Sequence, residues 1–375
     1  MLIKSKIKNY LFLIFLFFFI LELFSYFFIK LILIKYSVIY DPKVSQNYEV
    51  YLKKRHEILG WDTSSGNDSK RFIDKYGARI DYSSFNLSHY CIDVYGDSFT
   101  YGYREPQKAW ASILSELVKC RVRNFGVGGF GSDQAYIKFL NNKNHSEIVF
   151  LNHLSENIIR NVNQYRNFIY PSDVFKFKPR FILQDNKLNL ISIPKITEQN
   201  ISDFLLNPHK YLNHEYFIPN GPSGVQYWKF PYTLNVFKSF NHWQIKQKIK
   251  RVDAKYSKFY NLNHPSEAVQ ITYKILIDFY QTSKLKGLKP IITVFPTCRD
   301  LMYYSKNKQV PYKNLIDMLE KANLNYIDFS NVLIEKSKKD FDKYYEECSG
   351  HYNSQGELII AETIYKYLKL NKYLN

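Results

Sequence analysis

Residues 89–102 read "HYCIDVYGDSFTYG". The opening "HYCIDVYG" suits a strand, because Cys91, Ile92, Val94 and Tyr95 favour extended, half-buried backbone. The run then stops at Gly96-Asp97-Ser98. Gly-Asp-Ser is an ordinary turn tripeptide. It is equally what a chain needs to present a small hydroxyl at a strand end, where Ser98 could attack an electrophile. The rest of the chain decides between the two, and it does so first by fixing the fold.

Downstream, "AWASILSELVKC" (109–120) has helical spacing, with Trp110, Ile113, Leu114 and Leu117 on one side. "RVRNFGVGG" (121–129) reads as a short strand entering a glycine-rich turn. "SDQAYIKFLNN" (132–142) reads as a helix with Ser132 as its N-cap, and "EIVFLNHL" (147–154) as another strand. The pattern returns near the C-terminus. Residues 265–287 form a helix with proline near its start and glycine at its end. Strand 289–296, helix 315–323, strand 324–330 and helix 356–368 follow. Such alternation predicts a mostly parallel sheet covered on both faces. Sites in these sheets form beyond the carboxyl ends of the strands, and Ser98, Gly129 and Asn157 all follow predicted strands. Residues 165–260, rich in aromatics, asparagine and proline, read as an insertion or cap over the same face. It would bind substrate or serve as scaffold. No internal repeat is visible.

The 375 residues are 46% hydrophobic and carry a formal charge of +18. A core can form, and the charge invites nucleic acid or a membrane surface as partner. The lysines are spread along the chain, however. The local clusters "KSKIK" (4–8) and "KQKIKR" (246–251) belong to no nucleic-acid motif, so nucleic acid is not an expected partner. Cys91, Cys120, Cys298 and Cys348 include no CxxC pair, which argues against a zinc site. Cys91 and Cys298 lie in or beside apolar strand-like runs and read as buried free thiols. One disulfide is open to a domain outside the cytoplasm, without a pairing.

Residues 10–35, "YLFLIFLFFFILELFSYFFIKLILIK", are the most apolar stretch and long enough to cross a bilayer. Glu22 would cost about 2–3 kcal/mol at mid-bilayer. A cleaved signal peptide is the alternative, but the apolar core is long and no A-x-A-like site follows. The expected order is a basic tail (1–9), an uncleaved signal anchor (10–35), a linker with the start of the catalytic domain (36–88, "TSSGNDS" at 63–69 being a loop), and an α/β domain (89–370). Lys4, Lys6 and Lys8 against Lys30 and Lys35 slightly favour a cytoplasmic N-terminus. The domain then lies outside the cytoplasm, in the periplasm of a Gram-negative cell.

Four segments remain: Ser98 in "YGDSFTYG", Gly129 in "NFGVGGFGSDQ", Asn157 in "HLSENIIRN" and His351 in "SGHYNSQG". In kind and order they resemble the SGNH, or GDSL-type, hydrolase family, over roughly residues 89–168 and 285–370. "SENIIRNVNQYRNF" with "GDSFTYG" is also similar to a subgroup of membrane-tethered bacterial proteins in that family. The resemblance implies a three-layer α/β/α sandwich with no cofactor and no metal. It implies Ser98 as nucleophile and His351 as base, with an oxyanion hole built from the backbone N–H groups of Ser98 and Gly129 and the Asn157 carboxamide.

The chemistry needs these residue types. A serine hydroxyl is a poor nucleophile until a base takes its proton, and histidine titrates in the useful range. Glycine at 129 lets the backbone approach a substrate closely. The bland alternatives are a turn or cap serine, a turn glycine, a cap asparagine and a surface histidine. Two departures stand out. Cys348 occupies the position three before the histidine, where the family has Asp; Glu347 or Glu346 could orient His351 instead, or the site could work as a Ser–His dyad. Ile158 replaces the Asp that many relatives carry after the asparagine. Asp97 reads as a turn brace. Arg160 would meet an anionic or sugar group of the substrate, or form a surface salt bridge.

The resulting expectation is a membrane-anchored serine esterase or O-acyltransferase. It would act on an acylated cell-envelope or secreted glycan and hold the lipid bilayer through its N-terminal helix. A non-catalytic glycan-binding or assembly protein on the same scaffold is the rival, and a lipase or thioesterase the variant.

Overall fold

The computed structural model describes residues 2–42, 48–63, 73–81, 86–87, 89–102, 105–172, 174–348 and 350–374. Beyond Thr63, the loop expected at 63–69 lies outside them. The chain forms two compact units. One holds residues 50–164, 177–194 and 252–375; the other holds 1–49, 165–176 and 195–251.

The larger unit is built on five strands: β1 (Tyr90–Tyr95), β2 (Arg121–Asn124), β3 (Ile148–Leu154), β4 (Lys289–Phe295) and β5 (Tyr326–Asp328). All pair in parallel, in the order β2-β1-β3-β4-β5. Strand β3 is buried along its whole length. That is why it reads as a continuous apolar run, since a central parallel strand is covered on both faces. The order reverses direction between β1 and β3: the chain leaves β1 toward one edge and, after β3, builds toward the other. The crevice at such a switch point is where open α/β sheets bind ligands.

The connecting helices are α1 (Ser98–Tyr101), α2 (Trp110–Val118), α3 (Ser132–Asn141), α4 (Asn157–Arg160), α5 (Ala268–Leu285), α6 (Cys298–Asn307), α7 (Lys313–Lys321), α8 (Ser330–Ser337) and α9 (Ser354–Leu370). On one face of the sheet, Trp110 and Leu114 of α2 join Leu301 of α6, Leu333 of α8 and Ile360 and Ile364 of α9 in one apolar cluster. Helices α3 and α5 cover the other face, where Phe139 and Phe279 meet edge-on at 4.9 Å. The expected three-layer sandwich is therefore present. One local expectation changes. Gly131, not Ser132, is the N-cap of α3, and Ser132 Oγ instead sits 2.8 Å from His153 Nδ1.

The cysteines differ from the free-thiol reading. Cys91 pairs with Cys120 and Cys298 with Cys348. Sequence could not pair them, because each bond joins segments that only the folded sheet brings within reach, with Cα atoms 5.9 and 5.0 Å apart.

In the smaller unit, helix Leu2–Phe28 continues into a π-helical turn, Ile29–Leu33. Lys6–Leu33 is long and apolar enough to cross a membrane, by length and composition. Glu22 is not left alone in it. Its carboxylate accepts from Tyr232 N (2.6 Å) and Thr233 N (3.1 Å), the free donors at the start of helix Tyr232–Ser239. Ser25 Oγ lies 3.1 Å from Thr233 Oγ1.

Candidate active site

The turn after β1 is held from inside. Asp97 caps α1, its Oδ1 accepting from Phe99 N at 2.9 Å. Ser98 is the first residue of α1 and is partly exposed. Its hydroxyl makes no hydrogen bond to any described residue. The glycine-rich segment packs directly on this helix. A Cβ on Gly126 would stand 2.3 Å from Tyr101 N, so only glycine lets the two backbones come so close. Gly129 has φ +80°, a left-handed conformation that strongly favours glycine. Trp61 Nε1 donates to Gly128 O at 3.0 Å and its ring meets Phe130 edge-on. Trp61 steadies this loop from a stretch that reads as featureless in sequence.

Asn157 opens α4 and is fully buried. Its Oδ1 accepts from Arg160 Nη1 at 2.9 Å, but its Nδ2 has no partner among the described residues. The same Arg160 Nη1 reaches Asp97 Oδ2 (3.1 Å) and Phe130 O (3.0 Å), and Nη2 reaches Glu156 Oε1 (3.2 Å). One guanidinium thus ties together the segments carrying Ser98, Gly129 and Asn157. Arg160 is 7% exposed, so these contacts are internal. Burial pushes the Asp97 carboxyl above its ordinary range, against the pull of Arg160.

His351 lies in the loop before α9, exposed, with its ring 4.9 Å from that of Phe99, the residue after Ser98. Its charge would also lower the Asp97 carboxyl. The His351 ring therefore packs against the residue that follows Ser98. No described carboxylate hydrogen-bonds the His351 ring. Glu347 and Glu346 are exposed, and Cys348 is committed to its disulfide. That bond fastens the His351 loop to the first residue of α6 across 50 residues of chain. Closing such a loop stabilises a fold by about 4 kcal/mol in the chain-entropy picture. Converting both Cys298 and Cys348 to Ala is expected to lower Tm by several degrees and kcat several-fold, read by thermal scanning and ester kinetics. An unchanged kcat would show that the loop holds its place without the bond.

Beneath the site lies a polar network that sequence reading missed. Asp300, in α6 after β4, accepts from Tyr256 OH (2.9 Å), Thr297 N (2.7 Å) and Ser155 Oγ. His153 Nε2 lies 2.9 Å from Tyr260 OH. The signal for Asp300 was its place three residues after Thr297, as a capping box. Burial raises Asp300 to about 6 and lowers His153 to about 3. The signs oppose. Between about pH 4 and 6 the folded chain holds a proton on Asp300 that the unfolded chain has lost, so this term falls as pH rises. In the same window the unfolded chain holds a proton on His153 that the folded chain lacks, so that term rises. Asp300→Asn leaves the histidine unopposed. Relative to the parent, the variant should gain about 2–3 kcal/mol from pH 4 to pH 6, read as the pH dependence of the Tm difference. A pH-independent difference would mean that Asp300 is ionised throughout.

No family model matches the chain, and neither does any curated protein. Among solved structures, a protein described as lipolytic and of the G-D-S-L family, from Desulfitobacterium hafniense, is 11% identical. The match covers 75% of this chain and 100% of that one, with a TM-score of 0.36. A protein described as an acylhydrolase from Bacteroides fragilis is 12% identical over 79% and 100% of the two chains (TM-score 0.36). LAE5, described as an α/β hydrolase enzyme from the metagenome of Lake Arreo, is 11% identical over 78% and 99% (TM-score 0.37). Likeness at that distance says nothing about chemistry.

Proposed function

We propose that the chain is a membrane-anchored, SGNH-type serine esterase or O-acyltransferase. The observation that carries this is the Asn157 carboxamide: buried, held through its oxygen by the same Arg160 that bonds Asp97 next to Ser98, with its nitrogen lacking a partner among the described residues. A buried polar group left unsatisfied costs about 1–3 kcal/mol. An enzyme can carry that where the missing partner is a substrate oxygen whose charge grows in the transition state.

In this reading Ser98 Oγ attacks an ester carbonyl while His351 takes its proton. The carbonyl oxygen, now negative, is met by Asn157 Nδ2 and the backbone N–H groups of Ser98 and Gly129. The C–O bond to the leaving alcohol then breaks, His351 returns the proton to that alcohol, and an acyl-Ser98 remains. Water, or a sugar hydroxyl, resolves it by the same steps in reverse. Ser98 and the His351 ring draw together on substrate binding, since catalytic hydrogen bonds in a free enzyme are often long. The imidazolium that forms is offset by Asp97, and Glu347 is the alternative partner. Arg160 is a positioning residue here and not a substrate contact.

Two disulfides favour an oxidising compartment, and with the apolar N-terminal helix they support placement outside the cytoplasm. An acylated cell-envelope or secreted glycan is the substrate class that suits that placement. The second reading, a glycan-binding or assembly protein, draws on Cys348 in the place of a triad carboxylate. A fluorophosphonate that traps activated serines separates them. The enzyme gives one adduct on the peptide containing Ser98. A chain left unlabelled while correctly folded is the binder.

A further inference from the structure

The helix Tyr232–Ser239 has two unlike faces. Tyr232 and Val236 pack inward against the end of the N-terminal helix, where Ile29 and Leu33 are buried. The Tyr26 ring meets Tyr232 and Trp228 at 5.2 Å each. The outward face and its flanks carry Phe230, Leu234, Phe237 and Phe240, respectively 69, 47, 65 and 54% exposed. A contiguous exposed apolar patch marks an interaction site rather than ordinary surface. Lys229 and Lys238 adjoin these residues in the chain and are exposed, as are the four lysines and arginines of the following "KQKIKR" stretch (246–251). None of these basic groups is in an ion pair among the described residues.

The position of the patch says what covers it. From Lys8 to Phe28 the N-terminal helix rises about 30 Å, the thickness of a bilayer core. With the edge of the core at Phe28, two residues before Lys30, helix Tyr232–Ser239 docks its N-terminus on Glu22, about 9 Å inside that edge along the axis. That is the depth at which interfacial helices bury their apolar side, between headgroups and acyl chains. The exposed phenylalanines thus sit on and beside a helix packed against the apolar N-terminal helix, with lysines, the residue type that anionic headgroups attract, next to them in the chain.

We propose that helix Tyr232–Ser239 is a second membrane element. It lies in the headgroup layer beside the N-terminal anchor, with Phe230, Leu234, Phe237 and Phe240 among the acyl chains and the adjoining lysines on anionic lipid. This rests on the anchor reading of the N-terminal helix, and it gives the single span a lateral brace that fixes its rotation.

The test uses the full chain, reconstituted in vesicles of phosphatidylcholine and phosphatidylglycerol in equal parts. The photo-crosslinker p-benzoylphenylalanine replaces either Phe17 or Phe237. Both positions are exposed, at 62 and 65%, so neither substitution disturbs packing. Lipid adducts at both positions support the proposal, and those at 237 should fall several-fold when phosphatidylglycerol is omitted while those at 17 do not. Adducts at 17 alone overturn the interfacial helix and leave the anchor standing. Adducts at neither overturn both. At 237, a protein adduct in place of lipid overturns the bilayer as occupant and names a second copy or another chain instead.

Discussion

Ser98→Ala is expected to lower kcat for a small soluble acetyl ester by about 10⁴- to 10⁶-fold, the range for removing a serine nucleophile that works with its base as a unit. Folding should be untouched. The Ser98 hydroxyl bonds no described residue, the cap of α1 comes from Asp97, and a partly exposed substitution of this kind usually moves stability by less than about 0.5 kcal/mol. Matched Tm values with a collapsed rate make the loss chemical. His351→Ala should fall into the same range, and the double variant should be little worse than either, because nucleophile and base act on one step. Turnover that survives Ser98→Ala would end the covalent mechanism, whatever its rate in the parent.

Asn157→Ala is the second large effect, about 10²- to 10³-fold in kcat with KM nearly unchanged, as expected for a donor used only when charge develops. The split between kcat and KM is the informative part. A merely structural asparagine would lower both stability and binding. Asn157→Asp sharpens the test. It keeps an oxygen for Arg160 but replaces the donor with a second acceptor, so it should be at least as slow as alanine. In the proposed mechanism Arg160 acts through this carboxamide, whose oxygen it holds. Arg160→Met leaves Asp97 as an unmatched buried carboxyl, which is destabilising by about 3–5 kcal/mol, so the clean variant pairs it with Asp97→Asn. In that background the further loss on adding Asn157→Ala should shrink. Full additivity would show that Arg160 does not aim the amide.

How far the sequence could be read depends on the range of the interactions concerned. The strand ending at Tyr95, the helix with Trp110 and Leu114 on one side, and the buried run of Ile148–Leu154 are set by hydrophobic period and turn residues, which act over a few positions. They were legible, and so was the expectation that 98, 129 and 157 share the carboxyl edge of the sheet. Chemistry-bearing residue types at strand ends were visible too. The bonds between those segments were not. No local pattern says that Arg160 reaches Asp97 and Phe130 O, that Trp61 holds Gly128, or that Asp300 accepts from Ser155 and Tyr256.

The cysteines and Glu22 show the same division. In the one-dimensional chain Cys298 looked like a buried thiol, and Glu22 like a charge set against lipid. Each has a partner 50 or more residues away. By itself, then, the sequence determined the alternation of elements, the apolar N-terminal helix and the residue types gathered at one edge. Only the tertiary structure decided strand order, the disulfide partners, and that the Asn157 oxygen is filled while its nitrogen has no partner among the described residues. Those depend on contacts between distant segments, and such contacts exist only once the sheet has brought the segments together.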